Sequence, residues 1–198
     1  MSTTLLEIPA QVDPPRKRWT RTEHEALYDS GVLDGQRWEL VEGELIDQIG
    51  KGRPHVNSVV LLMRWAVQVF GFERVLPESP IDIAPEDNPI NEPEPHLVVL
   101  KRDLSHFTRE NPQPSDLELV IEVAASRLGF DLTTKALLYA RAGIADYWVL
   151  DVAGRRMIVH REPRDGRYAS VLVYGIEESV APLAAPEAFF KIGDAFPQ

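Results

Sequence analysis

Glu122 and Lys135 are the first residues whose types and spacing could support chemistry. Glu122 lies near the end of Leu117–Val123, a mostly apolar run typical of a buried strand, and Lys135 follows 13 positions later. A carboxylate buried in such a strand is strongly unfavourable without a partner. Glu122 therefore either reaches solvent at the strand end, pairs with a cation or binds a metal ion. Lys135 either forms a helix-surface ion pair with Asp131 or reaches the same site as Glu122, where it could stabilise charge on a phosphate.

Glu94 and His96 precede a second apolar run, Leu97–Leu100. They are two positions apart, so they share a face if the strand already begins there. His55 is at the start of a predicted amphipathic helix. The remaining histidines have no partners in the sequence pattern and are expected at the surface: His24, His106 and His160.

A basic cluster follows a proline-containing stretch without periodicity. Its members are Arg16, Lys17, Arg18 and Arg21. The cluster is interpreted either as an arm that contacts nucleic-acid phosphates or as a solvated junction between a tail and the domain. We expect residues 1–17 to form a flexible N-terminal arm and residues 18–198 to form a single domain, since one domain commonly takes about 100–200 residues.

The apolar periodicity predicts an α/β or α+β domain built on a mixed sheet. Apolar strands on both sides of a crossover helix indicate a sheet that is covered on both faces. Thr22 and Glu25 form a capping-box pattern for a first helix, and Asp131 is placed to cap a later one. Glu42-Gly43 predicts a hairpin turn with glycine in the left-handed region. The predicted elements are a helix to about residue 30, strands 38–41 and 44–46, a helix 54–70, one or two short strands within 75–84, strands 97–100 and 117–123, a helix 132–141, a strand 147–150 and a hairpin of 157–159 with 170–173.

Composition restricts the function classes. The 198 residues carry 31 acidic against 21 basic side chains, a formal net charge of −10, which argues against coating of nucleic acid by bulk charge but leaves room for a local basic groove. The absence of cysteine excludes disulfides, thiolate metal sites and a cysteine nucleophile, and it fits the expected cytoplasmic location. The longest apolar run, Val59–Met63, is far shorter than the ~20 residues of a membrane span, and no signal peptide is expected.

Several short motifs occur in an order that is specific, although no single motif is. They are Glu39–Leu45, His55 at its helix start, Glu94–Val99, Val120–Val123, Asp131-Leu132 with Lys135 and Tyr139-Ala140, and Gly143 through Tyr147–Asp151. In this order, over about residues 18–165, the chain resembles the Uma family of bacterial endonucleases, within the PD-(D/E)XK restriction-endonuclease-like superfamily. The resemblance implies a restriction-endonuclease-like mixed β-sheet flanked by helices and a divalent-metal nuclease centre.

The resemblance also implies roles for individual residues. Glu122 and Lys135 match the family's strand-end glutamate and its helix-borne lysine, and Glu39 matches a hairpin glutamate that reaches the same centre. The resemblance also suggests that His55 faces the catalytic cleft; the alternative is an ordinary polar residue at a helix end. The carboxylates would hold Mg²⁺ or Mn²⁺, which would polarise a phosphoryl oxygen and generate hydroxide. DNA is therefore the expected substrate and no membrane partner is expected, while a homodimer stays open.

His96 occupies the position where the family has an aspartate. Imidazole favours a softer metal such as Mn²⁺, Zn²⁺ or Ni²⁺ over Mg²⁺, with Glu122, His96 and Glu94 as the candidate ligands. The loop after Glu122, Ala124–Arg127, also lacks the family's Ser-Pro-containing sequence. The hypotheses that follow are a metal-dependent DNA endonuclease, either on Mg²⁺ or retuned to a softer metal, and a nuclease-fold protein that binds nucleic acid or a protein partner without cleaving.

Overall fold

A computed structural model of the chain describes residues 15–48 and 52–197. Most of the predicted arm, residues 1–17, lies outside the described residues, and its separation from a domain at 18–198 remains a prediction. The helices are α1 (Arg21–Asp29), α2 (Arg53–Phe70), α3 (Leu128–Phe130), the π-helical segment Asp131–Lys135 that continues α3, and α4 (Ala136–Arg141). The strands are β1 (Trp38–Val41), β2 (Glu44–Asp47), β3 (Val75–Pro77), β4 (Leu97–Leu100), β5 (Leu117–Ala124), β6 (Asp146–Asp151), β7 (Arg156–Arg164), β8 (Arg167–Gly175), β9 (Ser179–Val180) and β10 (Phe190–Lys191).

A six-stranded mixed sheet in the order β3-β4-β5-β6-β7-β8 forms the centre of the fold. Only β5 and β6 run parallel, and the helical run from α3 to α4 supplies the crossover that a parallel pair requires. One face of the sheet packs against α2 around Leu62 and Trp148, and the other packs against α4 around Leu138 and Val149. The predicted mixed sheet flanked by helices is therefore confirmed.

The β1–β2 hairpin is a separate two-stranded sheet beside the central one. Its turn places Glu42 at φ 51° and Gly43 at φ 72°, the left-handed pair that a two-residue hairpin turn of type I′ requires. A bridge between Leu40 and Glu92 attaches β1 to the segment that precedes β4. This attachment brings Glu39 next to the strand junction where the candidate residues meet.

Both predicted helix caps are wrong, whereas α2 begins within one residue of its predicted start. Thr20, two positions before the predicted cap, caps α1 in a capping box with Glu23. The pattern Thr-x-x-Glu occurs twice in this stretch, and the hydrogen bond from the Trp19 N–H to the Gly43 carbonyl at 2.8 Å fixes the chain just before the first of them. Asp131 caps no helix, because the residues before it are already helical and it continues the helical run.

The other element predictions differ only in detail. Within residues 75–84, Val75–Pro77 alone forms a strand. His24 and His160, predicted at the surface, are buried: His24 lies beside Glu92, and His160 lies among aromatic rings. His106 is exposed, as predicted. In the part of the chain that the structure covers, no helix is both long and apolar enough to cross a membrane.

Candidate active site

The register between β4 and β5 places His96 across from Glu122. Leu97 pairs with Ile121 and Val98 pairs with Val120 in this antiparallel ladder, so the residue before β4 falls opposite Glu122. Side chains alternate between faces along β5, and Glu122 therefore points to the side that α4 covers. The Glu122 side chain is fully buried.

The Glu122 carboxylate is held on both oxygens. Oε1 accepts hydrogen bonds from Lys135 Nζ at 2.7 Å and from the Tyr139 hydroxyl at 3.2 Å. Oε2 contacts His96 Nδ1 and accepts a longer bond, 3.4 Å, from the His96 backbone N–H. Burial alone would raise the pKa of Glu122, but Lys135 and His96 outweigh burial and lower this pKa to about 2. Glu122 is therefore ionised over the whole physiological range.

Lys135 connects two buried carboxylates. Its Nζ lies 2.7 Å from Glu122 Oε1 and 2.8 Å from Glu39 Oε2, and its side chain is only 2% exposed. Burial would lower the pKa of Lys135, but Glu122 and Glu39 raise it above its ordinary value. The structure thus places Lys135 beside Glu122 rather than in a surface ion pair, and the ammonium stays charged.

Glu39 reaches Lys135 from β1, and we call the group of three charged side chains, Glu122, Lys135 and Glu39, the centre. Its side chain is 2% exposed, and its Oε2 also accepts a hydrogen bond of 3.1 Å from the Glu94 backbone N–H. The centre is consequently assembled from three parts of the chain: the β1 hairpin, the end of β5 and the π-helical segment. A displacement of any of the three would separate the charges.

Two residues of the same helical run also belong to the centre and were given no site role by the sequence analysis. Asp131, Lys135 and Tyr139 recur at four-residue spacing, which places them on one side of a helix and is the signal that could have found them. Burial first, and the nearby charge of Glu122 second, raise the pKa of Asp131 to about 8. Burial raises the pKa of Tyr139 well above its ordinary value, so its hydroxyl remains a hydrogen-bond donor.

Glu94 and His96 do not share a strand face, because β4 begins at Leu97. The Glu94 carboxylate turns to Arg37, with Oε2 2.7 Å from the guanidinium, and burial still raises the pKa of Glu94 above its ordinary value. His55 lies at the start of α2, is 5% exposed and packs its ring against that of His96, with 4.6 Å between centroids. Of the two interpretations of His55, the structure favours the one in which its side chain lies beside the centre.

The basic cluster does not stay together. Arg21 belongs to the fold, because its guanidinium binds Asp82 at 2.8 Å and the Asn91 carbonyl at 2.7 Å. Lys17 pairs with Glu23 at 2.6 Å, while Arg16 and Arg18 are exposed. Of the four basic residues, Arg21 is therefore the least available to contact a phosphate.

The candidate metal ligands are occupied by one another or by basic side chains. Glu122 contacts His96 and Lys135, Glu39 binds the same Lys135, and Glu94 pairs with Arg37. Within residues 15–48 and 52–197, no group of three or more His, Asp and Glu side chains converges to hold a metal ion. This donor arrangement does not fit the divalent ion that the resemblance implies, and we assign no chemical step to one.

Comparisons with known proteins agree with this fold. The chain is similar to the crystal structure, at 1.96 Å resolution, of a protein from Anabaena variabilis ATCC 29413 titled "putative nuclease belonging to DUF820", with a TM-score of 0.62 and 18% sequence identity over 80% of this chain and 89% of that one. At this identity the likeness shows a shared fold. No curated protein matches the chain. A family profile described as "Uma2: Putative restriction endonuclease" matches residues 22–192, and the chain therefore belongs to that family.

Proposed function

We propose that the chain is an endonuclease that hydrolyses phosphodiester bonds in DNA at the centre formed by Glu122, Lys135 and Glu39. The observation that carries the proposal is the buried chain of three charges, linked by contacts of 2.7 and 2.8 Å. Apolar residues of similar volume often replace buried ion pairs without loss of stability. A centre of this kind, with strongly shifted pKa values and contributions from three elements, therefore favours function over a purely structural role.

Lys135 carries the positive charge of the proposed centre. Its ammonium would face a scissile phosphate and stabilise the negative charge that develops on the phosphoryl oxygens. Glu122 and Glu39 keep Lys135 charged and in place, and the Tyr139 hydroxyl orients Glu122. Asp131, with a pKa near 8, is mostly neutral at pH 7 and does not compete for Lys135.

Access to Lys135 requires a local movement. Glu122, Lys135 and Glu39 are at most 2% exposed, whereas His96 and Glu94 are 12% and 18% exposed. His96 and Glu94 are therefore more exposed than the three charged residues, and a phosphate would approach the centre from their side. Arg16, Lys17 and Arg18 remain proposed phosphate contacts outside the centre.

The proposal is tested by incubating the purified full-length protein with supercoiled plasmid in Mg²⁺, in Mn²⁺ and in EDTA. We expect conversion to nicked circles. Nicking that needs an added ion would support the family's metal dependence, with the ligands rearranged from their positions here. Plasmid that stays supercoiled in all three conditions would contradict nuclease activity.

A second candidate is a protein that binds nucleic acid without cleaving it. The observation that favours it is His96, which contacts Glu122 at the position where the family resemblance places an aspartate. His96→Asp would place a carboxylate there, and His106→Asp, at an exposed histidine, is the matched control. Under the nuclease proposal, the wild type itself cleaves, as does the His106→Asp control. Binding by the wild type, with cleavage gained only in His96→Asp, would establish the second candidate instead.

A further inference from the structure

The carboxylate of Glu122 is fully used by hydrogen-bond donors of the chain itself. An ionised carboxylate offers about four lone-pair positions. Lys135 Nζ and the Tyr139 hydroxyl donate to Oε1, while the ring and the backbone N–H of His96 contact Oε2. These contacts fill the positions on Glu122, so a divalent ion would have to displace one of the donors.

Lys135 is the donor that such an ion would meet first. Its Nζ lies 2.7 Å from Glu122 Oε1 and 2.8 Å from Glu39 Oε2, distances typical of strong charge-assisted hydrogen bonds. Mg²⁺ binds carboxylate oxygens at about 2.1 Å, so an ion on either of these oxygens would lie less than about 5 Å from the ammonium. Two positive charges this close repel each other, and Lys135 is too deeply buried to turn into water without a rearrangement of the centre.

His96 turns a protonated nitrogen towards Glu122. A glutamate that pairs with Lys135 is ionised and only accepts hydrogen bonds, so the proton in its contact with His96 is on Nδ1, and a protonated nitrogen binds no metal. Nε2 is then the remaining nitrogen of the ring, and the Glu94 carboxylate is held by Arg37 at 2.7 Å. One imidazole nitrogen falls short of the three or more protein ligands that a zinc site uses.

We propose that the centre acts on a DNA phosphate without a divalent ion, because Lys135 and His96 occupy the oxygens that the ion would need. Lys135 supplies the positive charge, and His96 holds Oε2 of Glu122 from the position where the resemblance places an aspartate. The substrate in this proposal rests on the proposed function, whereas the exclusion of an ion from Glu122 does not.

The buried anions of the centre are compensated without an added ion. Glu122 and Glu39 are both buried, and a buried anion without a partner is strongly destabilising. Lys135 binds both glutamates, and His96 donates to Glu122. The Glu94 backbone N–H also donates to Glu39, at 3.1 Å. No ion is therefore needed to keep either glutamate buried, unlike a cluster of carboxylates that have only one another as neighbours.

Binding of Mn²⁺ to the full chain tests the exclusion of the ion. Mn²⁺ is the probe, because its electron paramagnetic resonance signal reports the free ion directly. Exposed carboxylates also bind Mn²⁺ weakly, so the wild type is compared with Glu122→Gln and with Glu118→Gln on the same strand. We expect the three proteins to bind the same number of Mn²⁺ ions with the same affinity. A site that is present in the wild type and in Glu118→Gln but lost in Glu122→Gln would contradict the proposal.

A double variant tests whether Lys135 and His96 are the residues that exclude the ion. Lys135→Met with His96→Asp removes both donors and adds a carboxylate opposite Glu122, which provides the oxygen ligands that Mn²⁺ and Mg²⁺ prefer. We expect a new Mn²⁺ site, at least about tenfold tighter than any in the wild type. Lys101→Met with His106→Asp is the matched control, because both residues are exposed. A folded double variant that gains no site would contradict the proposal, and if this variant does not fold, the comparison at Glu122 still decides.

Plasmid nicking separates the failure of this inference from the failure of the proposed function. At equal ionic strength, we expect the wild type to nick at the same rate in EDTA as in Mg²⁺. Nicking that requires Mg²⁺ or Mn²⁺ would overturn the metal-free centre and leave the nuclease in place. No nicking in any condition, together with no Mn²⁺ site at Glu122, would overturn the proposed function and leave the exclusion of the ion in place.

Discussion

We expect the side chain at position 96 to determine what the centre can bind. The β4–β5 register sets this position opposite Glu122 whatever the residue is. An aspartate there would face a second carboxylate, and two such anions are both ionised only with a cation between them. His96 instead contacts Glu122 itself. The sequence analysis singled out this position, because the motif preceding β4 is local and needs no tertiary information.

Asp131 should make the stability of the fold depend on pH. Its pKa is raised from an ordinary 3.8 to about 8, so between these values the folded chain keeps a proton that the unfolded chain has released. The free energy of unfolding should therefore fall as pH rises through this window, by up to about 1.4 kcal/mol per pH unit. Asp131→Asn removes the titration. Urea unfolding at pH 5, 7 and 9 should show the variant gaining stability relative to wild type as pH rises.

An exposed aspartate provides the control for this experiment. Asp103→Asn should leave the pH profile of the wild type unchanged, because Asp103 is at the surface. Parallel profiles for wild type and Asp131→Asn would show that Asp131 titrates normally in the folded chain.

Site residues differ in how far the sequence could predict them. Glu122 stands out because it is a charged residue within an apolar strand, and Lys135 stands out because it follows that strand on the next predicted helix. Asp131 and Tyr139 share the helix face of Lys135, and that spacing was visible but was not used. The burial of His24 could not be predicted, because its partner Glu92 is distant in the sequence and meets it only through tertiary packing.

At the scale of elements, strands and turns were more predictable than helix starts. Apolar runs and the Glu42-Gly43 turn are local signals, and they gave the strands and the first hairpin nearly as observed. Helix starts are less certain, because Thr20 and Thr22 both satisfy the capping spacing and a contact with Gly43 selects between them. The π-helical segment that carries Lys135 has no local sequence signal.

Gly43 should be essential to the hairpin that carries Glu39. Its φ of 72° strains any other residue, and a Cβ would also lie 2.8 Å from the Cβ of Arg18. Gly35 has a similar φ of 75° but no atom within 4 Å of an added Cβ, so it isolates the backbone effect. Gly35→Ala is expected to cost about 1–2 kcal/mol in the free energy of unfolding, and Gly43→Ala should cost more. Equal losses in urea unfolding would show that the contact with Arg18 is unimportant.

At the scale of the whole molecule, the fold keeps its charged centre and its open edge apart. Glu122 lies on β5, near the middle of the sheet, whereas β8 forms the sheet's outer edge. Substitutions on β8 are therefore expected to leave every contact of Glu122 in place. The overall architecture was predictable from apolar patterns and the ordered motifs, but neither shows which strand edge remains open.

The most direct test of the account compares plasmid nicking by wild type, Glu122→Gln and Glu118→Gln. Glu118 is the matched control, because it lies on the same strand but is 27% exposed and forms an ion pair with Arg74 at 3.9 Å. Circular dichroism should first establish that all three proteins are folded, with Lys135→Met as a second variant of the centre. The account predicts that Glu122→Gln loses nicking by about 100-fold or more while Glu118→Gln retains it. Nicking by folded Glu122→Gln and Lys135→Met at the wild-type rate would contradict the assignment of this centre.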